Sequence, residues 1–451
     1  MYKICLFLVF IGLLLSCEDT SVRPSPSRGT YVRINTFTKD KMTDQYFWAN
    51  EVKDKQIEED LDPATYFANM KYTEDPWSRI TKSQGAGEIA DASGYDNGFG
   101  YNLNFWEDKG YIIAEVNFVY DNSSAAKAGL KRGDLITRMN GKKITTENYT
   151  DLYYSSSLSI GLSENETAEP YKTLELTALN MAINPVLEYG IITHQERNIG
   201  YVAYSSFVYR NTTSLLQLNN VFKELKEKGI EELILDLRYN TGGYMLAVKR
   251  LCSLIAPEEV VESEEVLIHK RWNDAYQAKY AEMPEQLEEH FDKTVPEASR
   301  LNLPRLWVIT SKVTASASEL LISALSPYME VHVIGETTVG KNMGGITFTP
   351  TESDLQGWNI TLISLLYTNS RGESVRGGIR PEVYLAETFP HQHELGDPNE
   401  PLLAATLAQI PGKTPSLLKA RSMSPEKYNQ IIPERVKAAS VVVFENHEVE
   451  E

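Results

Sequence analysis

The chain opens on an apolar run, Ile4 to Leu15, behind the single cation Lys3. A bilayer span needs about 20 apolar residues, so this run is too short to cross one and has the length of an export signal's hydrophobic region. From Tyr31 to about Thr81, apolar residues including Tyr46, Phe47, Trp48, Val52, Ile57, Tyr66 and Phe67 recur at mixed three- and four-residue spacings, which predicts short helices. The pattern then changes. Between about Gly85 and Thr177, short apolar runs such as Tyr111 to Val119 are separated by Gly, Asn and Asp turns, as in a compact β-rich module. From Gly190 onward strand and helix signals alternate. Ile199 to Phe207 reads as strand, Leu215 to Lys228 as an amphipathic helix closed by Gly229, and Glu232 to Leu237 as buried strand. Leu306 to Thr310, Ser316 to Leu325 and Val331 to Gly335 repeat the strand, helix, strand order, which argues for an α/β core. Pro257 to Leu301 is acidic and charge-dense and is expected to form an exposed insertion, and a polar tail follows Pro411. The fold class expected is multidomain α/β (α+β): a leader over 1–16, a tether over 17–29, a helical region over 30–82, a β-rich module over 85–178, the α/β core over 190–410 and a tail over 411–451.

Composition narrows the classes. At 451 residues with 42% apolar and 24% charged positions, the chain is an ordinary globular protein of roughly two to four domains. Lys and Arg total 44 against 62 Asp and Glu, a net charge of −18, so nucleic acid is excluded as an expected partner. Cys5 and Cys17 lie in or at the end of the leader, leaving only Cys252 for the fold, where a small buried hydrophobe is expected. Among seven histidines only His391 and His393 are close, and they read as a polar loop; no metal and no cofactor is expected.

The leader ends in Leu14-Leu15-Ser16-Cys17, which resembles a bacterial lipobox. The resemblance implies removal of the leader and lipidation of Cys17. It places the protein outside the cytoplasm, anchored to a membrane on the periplasmic or cell-surface side of a Gram-negative envelope. In the middle module, Ser123-Ser124-Ala125-Ala126-Lys127-Ala128-Gly129-Leu130-Lys131-Arg132-Gly133-Asp134-Leu135-Ile136, with Met139-Asn140-Gly141-Lys142, resembles the hallmark of PDZ domains. Gly129 and Gly133 suit turns closed to other residues, and Asn140-Gly141 favours a type I′ hairpin turn. The resemblance implies that Gly98, Phe99, Gly100 and Tyr101 form the loop receiving a peptide's terminal carboxylate, the peptide adding to the sheet edge.

Thr314-Ala315-Ser316-Ala317-Ser318-Glu319 follows a predicted strand and opens a predicted helix, which exposes a hydroxyl at a strand's carboxyl end. Such residues also serve as ordinary helix caps. Together with Gly335-Glu336-Thr337-Thr338-Val339-Gly340-Lys341 and Leu235-Asp236-Leu237-Arg238-Tyr239-Asn240-Thr241-Gly242-Gly243, the segment resembles the C-terminal processing (tail-specific) serine peptidases. Gly377-Gly378-Ile379-Arg380-Pro381-Glu382 resembles a further landmark of that family. The resemblance implies a serine endopeptidase acting on extended polypeptides. Ser316 would be its nucleophile, Lys341 its base and Glu319 an orienting group or cap. Gly242 or Gly243, with Ala317, would supply the oxyanion amides. Asp236 and Arg238 read as structural partners.

A Ser hydroxyl needs an adjacent base, and a Lys serves only when uncharged. Lowering its pKa from about 10.4 to roughly 7 to 8 requires about 3 to 5 kcal/mol against the ammonium, so the pocket is expected to be dry and apolar. The chain departs from the family at Gly345, where members commonly place a Gln that orients the amine; Asn342 is the candidate substitute. The alternative reading is a catalytically silent lipoprotein that keeps the fold and binds peptides or hydrophobic ligands.

Overall fold

The computed structural model describes residues 28–53, 62–82, 95–165, 168–209, 212–411, 429–432 and 442–444. The N-terminal region folds as α1 (Arg28–Asp44) and α2 (Pro63–Met70), then continues into a strand, β1 (Arg79–Lys82). Asp62 starts α2 by accepting the Thr65 N–H at 2.8 Å, and Pro63 fits the first turn, where no N–H is needed. Tyr46, Tyr66, Phe67 and Met70 are buried in the principal core. Ile57 lies outside the described residues.

The middle module comprises β2 (Tyr95–Gly98), β3 (Tyr101–Asp108), β4 (Tyr111–Val119), α3 (Ser124–Ala128), β5 (Leu135–Met139), β6 (Lys142–Lys143), α4 (Asp151–Tyr154), β7 (Ser157–Ser163), β8 (Lys172–Thr177) and β9 (Leu179–Ala182). Its main sheet runs β3-β4-β5-β7-β8, and β2 pairs with β9. Local chemistry explains the turns. Ser123 caps α3 through the Ala126 N–H, Gly129 closes it at φ 81°, and Asn140 and Gly141, both at positive φ, make the turn between β5 and β6.

The core consists of β10 (Val186–His194), β11 (Arg197–Tyr204), α5 (Thr212–Glu227), β12 (Glu232–Asp236), α6 (Met245–Ile255), α7 (Glu258–Glu262), β13 (Val266–Trp272), α8 (Asp274–Lys279), α9 (Pro284–Leu287), β14 (Glu288–His290), β15 (Arg305–Thr310), α10 (Ala317–Leu325), β16 (Glu330–Gly335), β17 (Met343–Phe348), β18 (Trp358–Asn369), β19 (Val383–Tyr384) and α11 (Pro401–Gln409). One sheet runs β10-β11-β12-β15-β16-β19 and is parallel from β11 onward. Both of its faces are covered, which is why its strands read as unbroken apolar runs. Leu233, Leu235, Leu306 and Val308 enter the principal core with α5, α6 and α10, whereas Ile234, Trp307 and Ile309 pack with Leu402 and Leu403 of α11. A second sheet runs β14-β13-β18-β17, and β1 joins β18 on the same edge as β13.

Two expectations change. The segment 257–301 is not an exposed insertion: β13 is hydrogen-bonded along β18, and Val260, Val261, Leu267, Ile268, Trp272 and Phe291 belong to the principal core. Its charges sit at solvent-facing positions of short helices or in pairs such as Lys270 with Glu289, so average composition concealed the buried alternation. The tail is not merely polar chain. Strand β20 (Asn429–Ile431) pairs with β3, and β21 (Val442–Val443) pairs with β17. His391 and His393 lie in a loop, and the His391 side chain is covered where the middle module meets the core, its main-chain N–H donating to Glu115 at 2.5 Å. Cys252 is a free thiol in the principal core, as expected. Among the described residues no helix is long and apolar enough to cross a membrane.

Candidate active site

Ser316 stands at the sharp turn from β15 into α10, with φ 62° and ψ −113°. An L-residue held there costs about 1 to 3 kcal/mol, so the surroundings must enforce it. They do so through main-chain and hydroxyl contacts. The Ser316 N–H donates to Glu319 Oε2 at 2.8 Å, Ala315 N–H and Ser318 Oγ donate to the Asn240 carbonyl, and Thr314 Oγ1 donates to the Leu237 carbonyl. The hydroxyl of Ser316 is fully buried and has no hydrogen-bond partner among the described residues.

The loop after β12 lies directly against this hydroxyl. A Cβ on Gly242 would stand 2.8 Å from Ser316 Cβ and 3.1 Å from its Oγ, and a Cβ on Gly243 would stand 2.2 Å from the Phe207 carbonyl oxygen. Only glycine permits both approaches at φ 119° and 145°. The Gly242 N–H is engaged by Asn240 Oδ1 at 2.9 Å. The Ala317 amide is at the first turn of α10, where a helix leaves its N–H groups unpaired within the helix.

Lys341 follows β16 and is 1% exposed, with its Nζ lacking a hydrogen-bond partner among the described residues. Burial drives its pKa well below the ordinary amine value. The Arg79 charge adds to the depression, and Asp75 and Glu319 oppose it. The amine lies 4.1 Å from the centroid of the Trp77 ring. Two side chains join Lys341 to Ser316. Glu319 Oε2 accepts the Lys341 N–H at 2.9 Å as well as the Ser316 N–H. The Tyr367 hydroxyl donates to the Lys341 carbonyl at 2.6 Å and lies 3.4 Å from that of Ser316. The fold therefore makes neighbours of two residues far apart in sequence. Their functional atoms are not hydrogen-bonded to one another in this conformation.

Glu319 Oε1 also accepts from Thr338 Oγ1 and from the Gly340 N–H at 2.6 Å. Burial raises its pKa, while these hydrogen bonds pull it down. Glu319 thus accepts from the N-terminal turn of α10 and from the lysine loop at once. Gly377 and Gly378 buttress that loop, since a Cβ on Gly340 would come within 2.4 Å of the Gly378 nitrogen. Asp236 and Arg238 pair within a buried network that includes Glu400. Asn342 is buried, its carbonyl accepting from Tyr367 N–H, but the side chain found against the amine is Trp77.

Sequence reasoning missed Asp75, Trp77, Arg79, Thr338 and Tyr367. Asp75 Oδ1 accepts the Trp77 and Ser78 N–H groups, and Ser78 Oγ accepts the Ile363 N–H, which fixes the 75–78 turn over the lysine. No periodicity marks such a turn. Gly98 to Tyr101 form the turn from β2 into β3, with Phe99 buried and Gly100 at φ 80°. Cys17 lies outside the described residues.

Residues 198–385 match the model of peptidase family S41. Carboxy-terminal processing protease CtpB of Bacillus subtilis is 26% identical over 302 residues, covering 65% of this chain and 57% of its own. The carboxy-terminal-processing protease of Bartonella bacilliformis is 20% identical over 395 residues, covering 86% of this chain and 82% of its own. The chain spans little more than half the length of the Bacillus relatives CtpB and CtpA, 57% and 51%. A solved Bacteroides fragilis structure described as an S41 protease superposes with a TM-score of 0.68 at 23% identity, over 82% of this chain and 96% of that one, a likeness of fold.

Proposed function

With a peptidase family S41 domain at residues 198–385 as the premise, we propose that the protein is a serine endopeptidase that cleaves extended polypeptides with Ser316 and Lys341. One observation carries this reading. A hydroxyl on a strained turn and an amine whose burial disfavours its charge are both without partners among the described residues, while their main chains are bound to the same carboxylate.

The mechanism follows from that geometry. Neutral Lys341 takes the Ser316 proton as Oγ attacks the scissile carbonyl, giving a tetrahedral oxyanion. The Gly243 and Ala317 amides receive the oxyanion, since Gly242's is already engaged; such a donor supplies about 2.7 to 4 kcal/mol. The proton passes from Lys341 to the leaving amine, an acyl-enzyme remains, and water releases it with Lys341 again as base. Glu319 binds the main chains of both residues, and catalytic contacts of this kind often tighten only with substrate. The Trp77 face and the Asp75 carboxylate stabilise the ammonium formed in between.

The middle module, in this reading, is PDZ-like and docks a substrate end on the edge of β3 beyond the Gly98 to Tyr101 turn. Lipidation of Cys17 would hold the protein to a membrane on the periplasmic or cell-surface side of a Gram-negative envelope, and Cys17→Ser is expected to abolish incorporation of labelled palmitate; undiminished incorporation refutes the anchor. Fluorophosphonate labelling tests the site. The unaltered protein is expected to label, Ser316→Ala to lose the label and Lys341→Ala to label weakly. The absence of a side chain at Gly345 favours the second reading, a silent binding protein, for which the unaltered protein stays unlabelled.

A further inference from the structure

The edge of β3 is already occupied, and by the chain's own C-terminal region. At its start, the Leu103 N–H donates to the Tyr153 hydroxyl at 3.0 Å, and that hydroxyl lies 3.4 Å from the Leu103 carbonyl oxygen. Farther along, β20 lies antiparallel to β3, with Ile431 opposite Phe105, Gln430 opposite Trp106 and Asn429 opposite Glu107. Ile431 packs against the module's apolar core. The opposite edge of β3 is taken by β4. A strand added antiparallel to a sheet edge is how an extended peptide gains main-chain hydrogen bonds from such a module.

Two further contacts tie this region to the catalytic body. Gln430 lines a cavity of about 190 Å³ between module and core, with Asn104, Tyr239 and the 311–313 loop leading towards Ser316. The Asn104 Nδ2 is buried without a partner among the described residues. Strand β21 runs parallel to β17, with Val442 opposite Gly344 and Val443 opposite Gly345, immediately after Lys341. Phe444 covers Gly344 so closely that a Cβ there would come within 2.4 Å of its ring. Gly345 thus serves the pairing of the tail, its carbonyl accepting the Phe444 N–H at 3.1 Å.

We infer that the segment 429–431 is an intramolecular peptide ligand of the middle module, holding the docking edge against substrate until it is displaced. The inference rests on the proposed reading of that module as a peptide-docking one. A tethered strand competes at an effective concentration of order millimolar, so a free peptide binds an unoccupied edge far better than an occupied one.

The test uses the full chain carrying Ser316→Ala, so that binding is read without cleavage. The probe is a fluorescent peptide of residues 425–436, followed by anisotropy. Ile431→Asp, which puts a charge against the module's apolar core, is expected to bind the probe at least about 10-fold more tightly than the parent. A second variant, Glu107→Cys with Asn429→Cys, staples the tail when oxidised. The stapled form is expected to bind at least about 10-fold more weakly than the same variant reduced. Equal binding by stapled, reduced and Ile431→Asp forms overturns the inference and leaves the docking reading standing. Failure of every form to bind overturns both, and neither outcome touches the fluorophosphonate result.

Discussion

A lysine amine can serve as a base at neutral pH only where its surroundings disfavour the ammonium, and around Lys341 several groups contribute in opposite senses. Burial and the Arg79 guanidinium favour the neutral amine, whereas Asp75 and Glu319 favour the charged one, as does the Trp77 face. The proposed mechanism requires the neutral form, so the acidic limb of the kcat/KM profile is expected to report the Lys341 pKa. Replacing Arg79 removes a like charge and raises that pKa. Arg79→Met is therefore expected to shift the acidic limb to higher pH, with little loss of rate on the alkaline plateau. A pH titration of peptide hydrolysis checks this, and a shift to lower pH contradicts it. Ser316 and Lys341, the proposed pair, could be singled out in the sequence because motif and spacing mark them. Trp77 and Arg79 were not, because nothing in a Pro-Trp-Ser-Arg stretch states which distant lysine it will cover.

Short loops, rather than the regular elements, carry the geometry of the candidate site. The Gly335 to Lys341 loop is held from one side by Glu319 and from the other by the 377–379 turn, where the Thr338 N–H donates to the Ile379 carbonyl and the Ile379 N–H to Thr338 Oγ1. Gly340 has φ 91° and contacts Gly377 and Gly378 by main chain alone, while Gly372 has φ 78° with open space around it. Gly372→Ala therefore carries only backbone strain, about 1 to 2 kcal/mol. Gly340→Ala adds a main-chain collision, and is expected to cost at least about 2 kcal/mol more in urea unfolding and to lose fluorophosphonate labelling. Equal losses would show that loop packing is not the constraint. The alternating strands and helices of the core were legible at this scale because their apolar period is local. The strands β1, β20 and β21 were not, being short edge additions whose partners lie far away in the sequence.

Across the whole molecule, a buried charge network beneath the parallel sheet links strand, loop and C-terminal helix. Arg238 bonds Asp236, and it bonds Glu400 at 2.8 Å on both carboxylate oxygens or nearly so, while Glu400 also accepts the Leu403 N–H at the start of α11. These contacts hold the Glu400 carboxyl down to about 2. A depressed acid contributes stability above its unfolded pKa of about 4.3 that is lost as pH falls towards the folded value. Arg238→Met leaves two carboxylates buried without their cation and is expected to cost about 3 to 5 kcal/mol at pH 7. The deficit should shrink between about pH 4.5 and 2, and urea titrations of both proteins across that range measure it; a constant deficit would exclude the network as its origin. The sequence by itself determined the alternating strands and helices of the core and singled out Ser316, Lys341 and the Gly242-Gly243 pair as candidates, because these depend on local periodicity, turn chemistry and motif spacing. Only the tertiary structure decided what surrounds the amine, that Gly242's amide is engaged, that the acidic segment contributes to the core and that β20 and β21 each pair with one edge of a different sheet. Each of these depends on contacts between residues distant in the chain, and a pattern confined to neighbouring residues carries no term for such contacts.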